Sequence, residues 1–435
     1  MPMGTQSTRN WDVIVIGAGI VGCSAAYYAA LSGMRVLIVE QDAPGSAQSG
    51  RNLGFVRQQN RDFRELSLMI GALRIWEGIE AELGRPVGWQ QGGNLSLAFS
   101  DADLVSRHDW QRRAAEEFGL DTRMLSTEQT HAMLPQLATG RGVVGAMYTP
   151  SDGKAEPARA TRAFFDAALG LGVAVSFGEP VNRIEVSTGK VYGVQIGDRL
   201  HRADTVITAA GAGSGALLRK VGLNLPQEFI RATVARTVAA PDQRIAACIS
   251  GQQTGIRQDV NGAYVISVAG GEYDLRLDSW RHMRWYEATR KSNPDAARID
   301  YLAPVKRLLP CRIISPLADF PPSRDHPRPE AFRVEQARRE FADLFPALAG
   351  LEIETSWAGI IDVMPDVIPA LGAVDGVSGL LVATGFSGHG FGPGPMAGKV
   401  LSDLAAGRRS PVDISSLSPM RFEKNSLISG SGTSR

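Results

Sequence analysis

The sequence predicts an α/β chain, α+β overall, in which a Rossmann-like dinucleotide-binding domain is joined to a second domain built on a mostly antiparallel β-sheet. Three observations carry this expectation. Residues 12–40 hold a complete strand, glycine turn, helix, second strand and closing acid. Further strand-into-glycine elements recur at 205–213 and 380–394. Between them, roughly over 226–346, the pattern changes to short β-like runs mixed with an Arg-rich helical section.

In the opening unit, Val13-Ile14-Val15-Ile16 is a buried strand running into Gly17-Ala18-Gly19-Ile20-Val21-Gly22. Gly17 allows the tight turn, Gly19 lets the backbone approach a pyrophosphate, and Gly22 lets the following helix lie close on the sheet. The helix N-terminus offers unpaired N–H donors and partial positive charge to phosphates. A second apolar run, Val36–Val39, ends at Glu40, where a carboxylate accepts hydrogen bonds from a ribose diol. A glycine-rich turn alone says little; with every part in register, a dinucleotide site is the strong reading.

Residues 42–60 are rich in Gly, Ser, Gln, Asn and Arg and read as a long polar loop. Over 61–83, Leu66, Met69, Ile70, Leu73, Trp76 and Leu83 recur at helical spacing, with Gly84 beyond as C-cap. A strand is expected over 93–99, peripheral helices over 101–118 and 127–133, and a longer helix over 156–171. A strand at 173–177 precedes a hairpin, 182–186 and 191–196, turned by Thr188-Gly189. In the middle region, 232–238 and 264–268 read as strands and 321–329 as a proline-rich loop. The strand 380–384 enters a second glycine-rich turn, and 395–406 is a helix with Pro395 in its first turn and Gly407 beyond its end.

Composition narrows the function classes. At 435 residues, 44% hydrophobic and 21% charged, the chain has the makings of an ordinary globular enzyme of two domains. A formal net charge of +1 gives no electrostatic reason to expect nucleic acid. The 6 histidines and 3 cysteines (Cys23, Cys248, Cys311) show no paired spacing, so neither a metal site nor a disulfide framework is expected. The polar opening lacks the apolar stretch of a signal peptide, and no segment has the length of a transmembrane helix. The expected compartment is the cytoplasm.

Taken together, the unit at 12–40, Ser49-Gly-Arg-Asn-Leu-Gly-Phe-Val-Arg57, the strand and turn at 206–213, Trp357–Gly372 with Met364-Pro-Asp, and Gly385–Lys399 resemble the D-amino-acid oxidase superfamily of FAD-dependent oxidoreductases, in its sarcosine oxidase/dehydrogenase branch. The two downstream elements separate it from a plain NAD enzyme. The resemblance implies non-covalent FAD held by Gly17, Ala18, Gly19, Ile20, Gly22, Glu40, Gln41, Ser49, Arg51, Asn52, Leu53, Gly54, Val181, Ala210, Gly211, Gly359, Gly388, His389, Gly390, Phe391 and Gly392. It implies Arg57 as the anchor of a substrate carboxylate, a role suited to a guanidinium fork. Tyr264 is a candidate for the substrate roof, and His389 reads as a flavin neighbour rather than a general base. The helix beginning at Pro395 is placed to stabilise negative charge on the flavin ring.

The implied organisation is a cofactor domain in three segments, 1–85, 151–225 and 351–422, and a substrate domain in two, 86–150 and 226–350, with a flexible tail at 423–435. The implied activity is dehydrogenation of a C–N bond in an amino acid, N-substituted amino acid or secondary amine, giving an imine that water hydrolyses. Oxidation of a 2-hydroxy acid on the same scaffold and a flavin-binding β-type subunit are the alternatives, and a partner subunit or separate electron acceptor is left open. Four departures from the family pattern are informative: Gly392 stands where monomeric sarcosine oxidases have a lysine, and there is no cysteine near 359–360, no histidine at 156–158 and no lysine at 266–267. They imply an untethered flavin, a missing second carboxylate partner, doubt over sarcosine as substrate, and poor use of oxygen.

Overall fold

A computed structural model describes residues 10–140, 142–292, 297–301 and 327–423. Strand β1, Trp11–Ile16, is the centre of the first sheet. It pairs in parallel with β2, Val36–Glu40, on one side and with Arg199–Thr208 on the other. Ala174–Phe177 and Leu380–Thr384 extend the sheet in parallel, with Ala370–Ala373 antiparallel at one edge. The hairpin Val181–Ser187 and Lys190–Ile196 continues from the 199–208 strand. The unbroken apolar run in β1 follows from burial on both faces: Val13 and Val15 enter one core, Ile14 and Ile16 the other.

Helix α1, Ile20–Leu31, lies against the helix Gly394–Ala405 at close range. A Cβ on Gly398 would stand 2.1 Å from Ser24 Oγ, so the small residue there is a packing requirement. Helix α2, Phe63–Leu83, starts at Asp62, whose side chain accepts from Arg64 N, and stops at Gly84 in the left-handed conformation, φ 62°. The sequence places this start at 61, but Arg61 belongs to the turn before the helix.

The second sheet has ten described strands and is antiparallel except where Cys248–Ser250 meets Asn94–Ala98 and Gly271–Asp274 meets Ala297–Asp300. Its long strand Glu228–Ala239 pairs with Ala263–Val268, Gly271–Asp274 and Ile353–Val363. The last of these lies in the stretch 351–422 assigned on sequence to the cofactor domain. Its hydrogen bonds go to the second sheet, and the chain returns to the first only at Ala370. Helix Ala331–Leu344 covers this sheet through Phe341 and Leu344. The Arg-rich section is the helix Leu277–Ser292, while 321–326 of the proline-rich loop and Cys311 lie outside the described residues. A two-stranded pairing of Phe55–Val56 with Gly153–Lys154 is what brings Arg57 into place. No described helix is long and apolar enough to cross a membrane.

Candidate active site

At the turn after β1 the backbone leaves no room for side chains. Gly17 has φ +101°, and a Cβ there would stand 2.5 Å from the Ala209 carbonyl oxygen; a Cβ on Gly22 would stand 2.0 Å from that of Gly17. On Gly19 it would be 3.0 Å from Ser49 Oγ. Helix α1 has no cap from its own N-cap side chain and no acid in its first turn, so apart from Ile20 N its N-terminal donors are left to the groove. Ser49 Oγ accepts from Ile20 N at 2.9 Å. The Glu40 carboxylate accepts from Ala18 N at 2.7 Å and Asp42 N at 2.8 Å. Burial pushes its pKa up, and these main-chain donors, with that of Gln41, oppose the shift. The Gln41 side chain itself is exposed. Val181 is buried in the core below the sheet. A glycine cradle, an uncapped helix and a positioned carboxylate fit the pyrophosphate and ribose of FAD.

The loop after β2 ties the other cofactor elements together. Gln48 Nε2 donates to Asp362 Oδ1 at 2.6 Å, and its amide oxygen lies 2.4 Å from where a Cβ on Gly211 would be. Gly211 follows Ala210 with φ 53°. Fully buried, Asp362 also accepts from Gln227 Nε2, Thr384 Oγ1 and Gly385 N, the last at 2.7 Å. Arg51 donates to the carbonyls of Ser46 and Ala358, both at 2.9 Å, and accepts at its own carbonyl from Trp357 Nε1. A Cβ on Gly359 would stand 3.3 Å from Arg51 Cβ. Asn52 accepts from Gly54 N, and the Leu53 carbonyl accepts from Arg257, which forms a bidentate pair with Glu156.

The region around Arg57 is built from charge. Arg57 is half-buried, and its guanidinium has one protein acceptor among the described residues, the carbonyl of Gln59. Burial, then the neighbouring Arg61, pushes its pKa down to about 10, so it stays cationic at neutral pH. Arg61 is 4% exposed and fully engaged: with the Arg57 carbonyl at 3.0 Å, the His389 carbonyl at 3.1 Å and Glu65 at 3.5 Å. Glu65 Oε1 also lies 3.5 Å from His389 Nδ1. Burial raises the pKa of Glu65, while burial and the two arginines hold His389 well below its usual value. His389 is therefore a neutral imidazole in the loop. Gly388 has φ +88°, and a side chain there or on Gly390 would meet Ile361 or Phe386. Phe391 packs on Trp76, whose Nε1 donates to the Gly392 carbonyl at 2.8 Å.

Two expectations change. Tyr264 is fully buried, its ring packs on Phe341 at 5.1 Å, and its hydroxyl donates to the Gln243 carbonyl. It is packed as a core aromatic, with its hydroxyl taken by that carbonyl. The glycine at 392 does not leave Arg57 as a lone cation: a Cβ there would stand 3.1 Å from Met69 Sδ and 3.6 Å from Arg61 Nη2. The second cation enters from the turn before α2 instead. Arg61, Glu65, Asp152, Arg257 and Asp362 all escaped sequence reading. The one local hint was the run of charges at 61–65, which reads equally well as a solvated helix start.

The fold and the glycine cradle are those of a chain built to hold FAD. Over residues 12–404 the chain matches the DAO family, described as FAD dependent oxidoreductase, and it belongs to that family. It is 26% identical over 435 residues to peroxisomal sarcosine oxidase of Homo sapiens, covering 95% of this chain and 96% of that one. It is 24% identical over 417 residues to mitochondrial dimethylglycine dehydrogenase of Mus musculus, covering 95% of this chain. The chain spans about half the length of that relative, 44%. Among solved structures, L-amino acid deaminase from Proteus vulgaris superposes with a TM-score of 0.86 at 20% identity, over 97% of this chain and 100% of the other, which shows the shared fold.

Proposed function

We propose that the protein dehydrogenates the C–N bond of an amino acid or N-substituted amino acid that carries a free carboxylate, giving an imine that water hydrolyses. The observation that carries this reading is Arg57: a half-buried guanidinium with a single carbonyl acceptor keeps most of its donor fork free for an anion. Arg51, Arg61 and Arg257 are by contrast engaged by protein groups.

FAD, when bound, supplies the hydride acceptor. The chain's own groups supply position and field. Arg57 holds the carboxylate in bidentate fashion and so orients the carbon bearing the nitrogen. Arg61, buried and bonded to two carbonyls, adds positive field, and His389 stays neutral beside it. The helix at 394–405 begins with no cap and no acid, which favours negative charge near its N-terminus. Phe391, Trp76 and Met69, all buried, exclude water behind that loop. The test is anaerobic mixing of the holoprotein with a panel of N-substituted amino acids, 2-hydroxy acids and amines lacking a carboxylate, following flavin absorbance. Bleaching by carboxylate-bearing amines is expected; bleaching by hydroxy acids alone would replace this reading with the alternative.

The flavin is held without a covalent bond. Position 359 is glycine, and the space beside it is taken by Arg51. Acid precipitation should release all the flavin into the supernatant; flavin retained on a proteolytic peptide would contradict this.

A further inference from the structure

We propose that Asp152 is a positioning residue for the substrate arginine: its buried carboxylate fixes the turn from which Arg57 presents its guanidinium. This rests on Arg57 being the carboxylate anchor. Asp152 is 0% exposed and accepts from two successive peptide N–H groups, Gln58 N at 2.7 Å and Gln59 N at 3.2 Å, and from Gln58 Nε2 at 3.3 Å. Arg57 donates to the carbonyl of that same Gln59. The path from carboxylate to guanidinium therefore runs through a single residue.

Both ends of the path are anchored. Gln59 Nε2 donates to the carbonyls of Asn94 and Met147 and to Thr149 Oγ1, all on the second sheet. The loop carrying Asp152 is tied by Ser151, which donates from its N and Oγ to Asp121 at 3.0 and 2.7 Å, and by Gly93 N, which donates to the Asp152 carbonyl at 2.8 Å. Asn60, next in the turn, has φ +57°, a left-handed conformation that asparagine tolerates but that needs support from its surroundings. Two N–H groups arriving at two oxygens suit a carboxylate; an amide would turn a donor toward one of them. Burial pushes the Asp152 pKa up to about 6, opposed by the N–H groups of Gln58 and Gln59 and by Arg57, so it is ionised at pH 7.5.

Two effects of Asp152 on an anionic ligand oppose each other. Its charge repels the anion, whereas its hydrogen bonds hold Arg57 in place. The sign of a single measurement separates them. Acetate and acetamide binding to the holoprotein at pH 7.5, read from perturbation of flavin absorbance, is compared in wild type, Asp152→Asn, Arg57→Met and the double variant. Asp152→Asn should weaken acetate about tenfold and leave acetamide affinity and flavin content unchanged. In turnover it should raise KM by a similar factor, with kcat within about twofold. Added to Arg57→Met it should cost nothing further, because it acts through that residue.

Tighter acetate binding, or an additive loss in the double variant, would overturn the proposal. Unchanged acetate affinity in Arg57→Met would refute the anchor itself. A loss there with Asp152→Asn unaffected would refute positioning alone. Should Asp152→Asn fail to fold, Asp121→Asn at the surface loosens the same loop and should weaken acetate about threefold; no change there would count against the proposal.

Discussion

The two ends of the cofactor groove are built by different means. At the ribose and pyrophosphate end the binding groups belong to the backbone: the turn at Gly17–Gly22, the uncapped start of α1, and Glu40 steadied by main-chain donors. Around Arg57 they are side chains from separate stretches: the charged Arg57 and Arg61 from the turn, Glu65 from α2 and Asp152 from the second sheet's side, with the neutral His389 from the returning loop. At the first end the turn glycines leave no room for side chains, so backbone donors line it. The second is held by hydrogen bonds from Arg61 to the Arg57 and His389 carbonyls and from the Gln58 and Gln59 amides to Asp152, which leave most of the Arg57 fork open. Changes at the first end should therefore abolish cofactor binding, and changes at the second should retune recognition while flavin stays.

The largest effect belongs to the turn. Gly19→Val puts a branched side chain into space already bounded by Ser49, where the pyrophosphate must approach. The purified variant should be colourless, and normal flavin content would break the comparison at its first term. Next is Arg57→Met. Losing a charge-assisted bidentate contact of about 1.5–3 kcal/mol should weaken apparent substrate affinity ten- to more than a hundredfold with flavin content unchanged. Arg57→Lys keeps the charge without the fork and should recover only part. Flavin reduction by an acid and by its carboxamide decides the assignment: equal losses for both would make Arg57 structural.

A smaller effect is expected at Glu40. Glu40→Gln retains one acceptor oxygen and loses a charge-assisted bond, so FAD affinity in reconstitution should fall about fivefold to thirtyfold. A fall matching that of Gly19→Val would mean that the carboxylate, not the backbone, dominates that end. Smallest is the acceptor. Position 266 is a buried isoleucine, and Ser267 donates to the Thr233 carbonyl, so no cation from that strand faces the site. Dithionite-reduced protein should pass electrons to dyes or quinones faster than to oxygen; reoxidation in air-saturated buffer at turnover rates would show an oxidase.

What could be read from sequence divides along the same line. The turn at Gly17–Gly22, the stop of α2 at Gly84 and the start of the last helix at Pro395 are local, each set by one residue's allowed conformation, and each is found where expected. Tyr264 reads equally well as roof or core, and only its packing on Phe341 decides. Pro150-Ser-Asp-Gly precedes the helix Pro157–Gly170, but nothing in those four residues says that the carboxylate meets the amides of Gln58 and Gln59. Ile353–Val363 lies beside the returning flavin segment in sequence, yet pairs along Glu228–Ala239, whose other partners are Ala263–Val268 and Gly271–Asp274.

The family resemblance supplied FAD and the arginine expected to read a carboxylate; the sequence by itself determined the Rossmann-like opening, the helices around it and three strands of the second sheet. These follow from steric rules and apolar periodicity, which act within a few residues. Only the tertiary structure decided which charges share the buried space around that arginine. Burying a charge is tolerable only where partners from distant segments meet it, and those meetings are a property of the packed chain. Arg61 stands close to where a side chain at 392 would begin because α2 and the returning loop pack together, two segments more than three hundred residues apart.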